Sequence, residues 1–360
     1  MGTLVGTLIV VLAGLVQGSG AWPMKLMRKF KFEHWWFVGM LVGLVIAPWA
    51  ITLIWCPHAW DAYRHIDSAT LIKANLFALS WGVANILCGL CFVRIGIALT
   101  GGILTGLGVS VGVTVPMIVK GSGLFRDAPN LISAAGKAVL VGVAIMLCGV
   151  VVAAFAGFGR DRALKSRALQ NKGLPNDGSG NDDPGRSGSF LGGLIMVIVA
   201  GALSAGISFA FVYSQGPIVS AMKANGAREI PANFAVWAFG LLGGALINVT
   251  YPAYLMTRNS SWHILFESWK ELGLAVFIGF NFILGVALMG QGMLFLGPLG
   301  ASVGFGVQQA TQMLGSQGVG FTSGEWRGIT GKPRHQIYFA IAILIAAALV
   351  MAYGNTLGKS

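Results

Sequence analysis

The feature that most constrains this chain is the recurrence of apolar runs about twenty residues long with almost no charge in them. An α-helix rises about 1.5 Å per residue, so about 20 apolar residues match the hydrocarbon thickness of a bilayer. Ten runs meet that length: 2–21, 35–56, 71–92, 95–119, 134–157, 190–215, 232–256, 272–296, 300–322 and 337–355. Charged residues make up 10% of the 360, against about 25% in a soluble domain, and mean hydropathy is +0.75. No segment between the runs is long enough for a soluble domain. The expected fold is an all-α membrane protein with ten transmembrane helices.

Lys and Arg set the orientation, because cytoplasmic loops retain them. The loops alternate between two sides, one holding 16 of these residues and the other 8. The richer set comprises 22–34, Arg94, 158–189, 257–271 and 323–336, which places both termini outside. The net charge of +12 is then mainly an orientation signal, and no basic soluble domain exists to hold nucleic acid. The N-terminal run has no Lys or Arg before it, so it reads as a retained span rather than a cleaved signal. Cys88 and Cys91 form a CxxC inside the third run with no second pair, which favours packing over metal or redox chemistry.

Residues 160–189, "RDRALKSRALQNKGLPNDGSGNDDPGRSGS", break the pattern and predict a flexible cytoplasmic linker. The chain therefore divides into a first five-helix repeat (1–159), the linker, and a second five-helix repeat (190–360). An odd number of spans per half gives the halves opposite orientation, a 5+5 inverted repeat. "GMLVGLVI" (39–46) aligns with "GLLGGALI" (240–247), and spans one and six both contain Ala-Gly followed by a small or polar cluster, "AGLVQGSG" (13–20) and "AGALSAGIS" (200–208). Glycines four apart, such as Gly39 and Gly43, suit close helix packing, sliding, or both.

No catalytic triad pattern, HExxH, phosphate-binding loop or dinucleotide fingerprint is present, and the five His sit in loops or at span ends. The chain is not expected to be an enzyme, to hold a metal or cofactor, or to use ATP. Polar residues inside the runs remain: Gln17, Asn85 one turn beyond Trp81, Ser204, Ser208, Asn248 and Asn281, and the "GVQQATQMLGSQG" stretch with Gln308, Gln309 and Gln312. Gln308 and Gln312 share a helix face, Gln309 lies at its edge, and Gln317 points away. A buried amide without a partner costs about 2–7 kcal/mol, so each pairs with another helix, with water or with a ligand. No Asp, Glu, Lys or Arg lies mid-run. Amides, hydroxyls and indoles without charge suit a neutral, polyhydroxylated solute such as a sugar. Acids that could couple protons are peripheral: Glu33, Asp67, Glu271 and Glu325.

Several stretches resemble the L-rhamnose–proton symporter family of the drug/metabolite transporter superfamily. They are "APWAITL" (47–53), "WGVANILCGL" (81–90), "VRIGIAL" (93–99), "SAGISFA" (204–210), "GGALINV" (243–249) and "GEWRG" (324–328), in that order. The resemblance covers most of the chain and is weakest in the linker and around 285–320. It implies a bundle in a bacterial inner membrane importing a deoxyhexose with protons by alternating access. Trp81, Asn85, Ser204 and Asn248 fall in matching segments, and Glu33 and Glu325 match acids of the family. One member of that family is aromatic-rich where this chain carries its glutamines, so that stretch is where selectivity should differ. Competing expectations are a facilitator or exporter of another small neutral metabolite, and a non-transporting membrane sensor or assembly subunit. The lack of an extramembrane domain counts against the last.

Overall fold

The computed structural model describes residues 2–20, 22–95, 97–120, 123–128, 130–171, 184–324 and 326–358. Among them every regular element is helical: α1 (Gly2–Ser19), α2 (Phe32–Trp55), α3 (Ser68–Ile95), α4 (Ile97–Ile118), α5 (Ala134–Asn171), α6 (Pro184–Ser204), α7 (Gly206–Ala224), α8 (Glu229–Gly240), α9 (Leu242–Arg258), α10 (Trp269–Leu296), α11 (Phe305–Thr322) and α12 (Lys332–Leu357). Among the described residues, seven helical segments are long and apolar enough to cross a bilayer. They are α1, α2, α3, α5, the α6–α7 stretch Gly192–Ala224, α10 and α12. The pair α8 and α9 makes an eighth, bent by 48° at its break. The fourth expected run qualifies only as a shorter apolar helix over Gly106–Ile118. The ninth is helical but carries its glutamines, which lower its hydropathy.

The polar stretch expected to be a linker is partly ordered. α5 runs on to Asn171, because "RALKSRALQN" is made of good helix formers. Residues 172–183 lie outside the described set. Proline explains a second irregularity: α2 widens into a π turn over Val42–Ile46, where the Ala47 N–H reaches back to the Val42 carbonyl. Pro48 follows and lacks the N–H that would continue the regular ladder.

Helix neighbours follow from where small residues sit. α1 packs on α10 and α11, α3 on α6, α7 and α9, α2 on α9 and α10, and α5 on α12. In α1, a Cβ on Gly14 would lie 1.9 Å from Thr311 Oγ1, and one on Gly18 2.0 Å from the Gln312 carbonyl oxygen. These two glycines let the α1 and α11 backbones touch, which sets Gln17 against Gln308.

The two ends of the bundle differ. At the end bearing the α1–α2 turn, the Glu271 carboxylate accepts from the backbone N–H groups of Arg28 (3.0 Å), Lys29 (3.1 Å) and Phe30 (2.8 Å). His34 accepts the Lys31 N–H at Nδ1 (3.1 Å) and donates from Nε2 to the Ser261 carbonyl (3.1 Å). The opposite end is closed by aromatics. Phe211 stacks on Trp237 at 4.7 Å with Phe125 beside it at 6.0 Å, and all three are buried. Tyr63, on the short helix Ala59–Arg64, donates its hydroxyl to the Ala235 carbonyl at 2.6 Å. Burial and then the neighbouring Cys56 push that phenol upward, so it stays a donor.

Gly18→Val should separate α1 from α11 and lower stability by about 1–3 kcal/mol, the usual penalty for overpacking. Thermal unfolding of the purified protein reads this. Gly273→Val, at a position where a Cβ meets nothing within 4 Å, is the control, and should lose no stability, since valine ranks above glycine in helix propensity.

Candidate functional site

A cavity of about 250 Å³ lies between the middle of the bundle and the end bearing the α1–α2 turn. It is lined by Gln17 and Gly20 of α1, Trp35, Trp36 and Met40 of α2, Trp81 and Asn85 of α3 and Leu104 of α4. Ser204 of α6, Ile207 of α7, and Ile278, Asn281, Phe282 and Met289 of α10 continue it. Phe305, Gln308, Gln309 and Gln312 of α11 complete the wall. No charged side chain is among these residues.

One wall is built of amides. Gln308 Nε2 donates to Gln17 Oε1 at 2.6 Å and to Gln312 Oε1 at 2.9 Å. Both amide protons of Gln308 are thereby committed, and its oxygen is left to accept. Gln17 and Gln312 each keep an NH2 group with no hydrogen bond to a described residue, and Gln309 keeps its whole amide. Asn281 Nδ2 donates to the Val16 carbonyl at 2.9 Å, which fixes α1 to α10 beside the same wall.

The facing wall is aromatic. Trp81 stacks on Phe282 with ring centroids 5.9 Å apart. Trp35 and Trp36 meet edge to face at 5.3 Å. Trp36 is held by its indole, whose Nε1 donates to Asn248 Oδ1 at 3.1 Å. Asn85 Nδ2 reaches the same oxygen at 3.4 Å, and Asn248 Nδ2 returns to its own helix at the Gly244 carbonyl, 2.9 Å away. Asn248 is therefore a buried junction behind the cavity rather than part of its lining.

Of the residues expected from sequence, Gln17, Trp81, Asn85, Ser204, Asn281, Gln308, Gln309 and Gln312 meet in this cavity, and Gln317 does not. Ser208 is fully buried away from it, with a hydroxyl that makes no hydrogen bond to a described residue. Trp35, Trp36, Phe282 and Phe305 were not anticipated. The adjacent tryptophans open an apolar run, where indoles ordinarily mark the bilayer interface. Only the span-seven asparagine opposite them gives Trp36 a different reading.

Among the peripheral acids, Asp67 is exposed and accepts from the Thr70 N–H at 3.1 Å, while Glu271 is committed to the α1–α2 turn. Glu33 is buried in the first turn of α2, its Oε1 3.4 Å from Asn259 Nδ2. Glu325 lies outside the described residues. Cys91 packs on Val197 and donates its thiol to the Gly193 carbonyl at 3.5 Å.

A charge-free, amide-and-indole cavity in a helical membrane bundle agrees with what sequence comparison finds. The family model described as L-rhamnose-proton symport protein matches residues 3–356. The chain belongs to that family. The L-rhamnose-proton symporter of Yersinia pestis bv. Antiqua (strain Antiqua) is 26% identical over 345 residues, 92% of each chain. Its namesake in Yersinia pestis (strain Pestoides F) is 28% identical over 229 residues, 64% of this chain and 60% of that protein. The same values hold for that of Yersinia pseudotuberculosis serotype O:1b (strain IP 31758). Membership in a symporter family makes the chain a transporter and not an enzyme.

Asn248→Leu should cost about 1–3 kcal/mol of stability, because it strands the Trp36 and Asn85 donors together. Gln309→Leu breaks no hydrogen bond between described residues and should stay within about 0.5 kcal/mol of the parent. Thermal melts of the two variants in one detergent make the comparison.

Proposed function

We propose that this chain imports L-rhamnose or a closely related neutral sugar together with protons, across a bacterial inner membrane. The observation that carries this reading is the family match over nearly the whole chain, joined to a cavity with no charged side chain among its described lining residues. Each free amide offers a donor or acceptor to a hydroxyl. The Trp81 and Trp35 faces suit the C–H side of a pyranose ring, and Met40, Ile207 and Ile278 suit the methyl of a 6-deoxyhexose. Gln17, Trp81, Asn85, Ser204, Asn281, Gln308, Gln309 and Gln312 bind the sugar, and Asn248 positions Trp36 and Asn85.

Alternating access operates on a 5+5 inverted repeat with both termini outside. Support comes from the packing pattern, which maps onto itself when the two halves are exchanged. The packing of α1 on α10 and α11 answers that of α6 on α3 and α4, and α2 on α10 answers α9 on α3. Two close backbone crossings correspond as well. A Cβ on Gly43 would sit 2.7 Å from the Gly279 oxygen, and one on Gly82 3.0 Å from the Gly244 oxygen. Gly43 and Gly244 are partners in the sequence alignment of the halves, and Gln17 and Ser204 each stand three residues beyond the glycine of an Ala-Gly pair. With the α1–α2 turn on the cytoplasmic side, the aromatic seal at the other end makes this an inward-facing conformation.

Radiolabelled L-rhamnose uptake into proteoliposomes tests the reading. At one proton per sugar, an inside-alkaline gradient of one pH unit should drive accumulation of about tenfold, and a protonophore should abolish it. Accumulation unaffected by the protonophore would remove proton coupling, and no uptake of any deoxyhexose would remove the sugar. Gln308→Leu and Gln312→Leu should lose most of the rhamnose-induced rise in melting temperature. If both keep the full rise, those amides only join helices.

A further inference from the structure

We propose that Glu33 carries the coupled proton, at a site one helical turn from the sugar cavity and built on the same two helices, α2 and α9. The inference rests on the reading of the chain as a proton-coupled sugar importer.

Among the acids whose side chains are described, only Glu33 and Glu271 are buried. Their surroundings are opposite. Glu271 is saturated by three backbone N–H groups and holds the α1–α2 turn in place. Glu33 has one long contact, from Asn259 Nδ2 at 3.4 Å, and no ion pair with any described residue. Charged and titratable groups on the surrounding elements are engaged elsewhere or face water. His34 on its own helix has both ring nitrogens committed. Lys29 and His263 pair with Glu267, and Lys31 and Arg258 are exposed. A buried carboxylate with no counter-charge is costly, whereas the neutral acid is not. Of the two buried acids described, Glu33 is thus the one with the fewest donors to strand on taking a proton.

Its position couples that change to the sugar. Glu33 and Trp36 are three apart on α2 and share a face. Asn248 on α9 and Asn259 at its C-cap are eleven apart, about three turns, and lie on the same side of the helix. The α2–α9 seam therefore holds two polar contacts, Trp36 with Asn248 beside the cavity and Glu33 with Asn259 beyond it. Protonation forms one O–H bond at the carboxylate, with the proton taken from water on one side. Release breaks that bond and returns the proton to water on the other. A sugar against Trp36 and a proton on Glu33 both favour closure of this seam. Two ligands that favour one state raise each other's affinity by the same factor.

Three measurements on reconstituted wild type, Glu33→Gln and Glu33→Asp test this: L-rhamnose exchange at equal pH, accumulation driven by a pH gradient, and rhamnose affinity against pH. Glu33→Gln should retain exchange, lose accumulation beyond the equilibrium ratio of one, and bind rhamnose with an affinity independent of pH. Glu33→Asp should recover part of the accumulation. The proposal is overturned if Glu33→Gln accumulates rhamnose as wild type does. It is equally overturned if Glu33→Gln loses exchange along with accumulation, since the residue is then needed for folding or binding. A wild type that shows exchange but no gradient-driven uptake, or neither, strikes instead at the proposed function.

Discussion

The amide bridge from Gln17 to Gln308 is the interaction on which the cavity depends. Two helices brought together in an apolar medium gain nothing from hiding hydrophobic surface, because the lipid is as apolar as the side chains. Close packing and hydrogen bonds must hold them. Gly14 and Gly18 supply the first by removing the Cβ atoms that would strike Thr311 and the Gln312 backbone. Gln308 supplies the second by committing both of its amide protons to Gln17 and Gln312. With those protons committed, it leaves an acceptor, and its neighbours leave donors, on the side that faces open space. One set of residues both ties α1 to α11 and makes the wall polar.

That dual use explains what could be read from the sequence and what could not. The glutamines of α11 are legible because four amides in an apolar run conflict with the run itself. Helical spacing then separates Gln317 from the other three. Asn248 was legible as a polar residue needing a partner, but its partner was not. Trp36 sits more than two hundred residues earlier, in a first turn that reads as an interfacial anchor. Ser208 was chosen by the same rule as Ser204, and only packing distinguishes a serine aimed into a cavity from one sealed beside it. The helical continuation to Asn171 was missed for another reason. Polarity was taken to mean a linker, while the local residues favour helix whatever their charge.

Charge is arranged with equal economy. The described lining of the cavity carries none, so a neutral solute meets no counter-ion there to displace, and an ionic one no compensation from it. The described acids lie at the two ends of the bundle, and the two buried ones, both at the end bearing the α1–α2 turn, are of different kinds. A carboxylate with three backbone donors is a fixed structural anion, because protonating it would strand those donors. One with a single long contact has little to lose from taking a proton. Burial alone does not tell these apart; the number of donors does.

The correspondence between the halves carries this division further. Gln17 and Ser204 occupy matched positions on helices that approach the cavity from its two sides, and both line it. They differ in reach. Gln17 spans the gap to α11 and bonds to Gln308, whereas Ser204 turns back on its own helix to the Gly201 carbonyl at 2.7 Å. Across from Ser204, a Cβ on Gly108 of α4 would lie 2.2 Å from that hydroxyl, so α4 and α6 approach closely there. On the reading of this chain as an alternating-access importer, a motion that opens the α1–α11 crossing would break the amide bridge and free the Gln308 donors, and the hydroxyls of a bound sugar are groups able to accept from them.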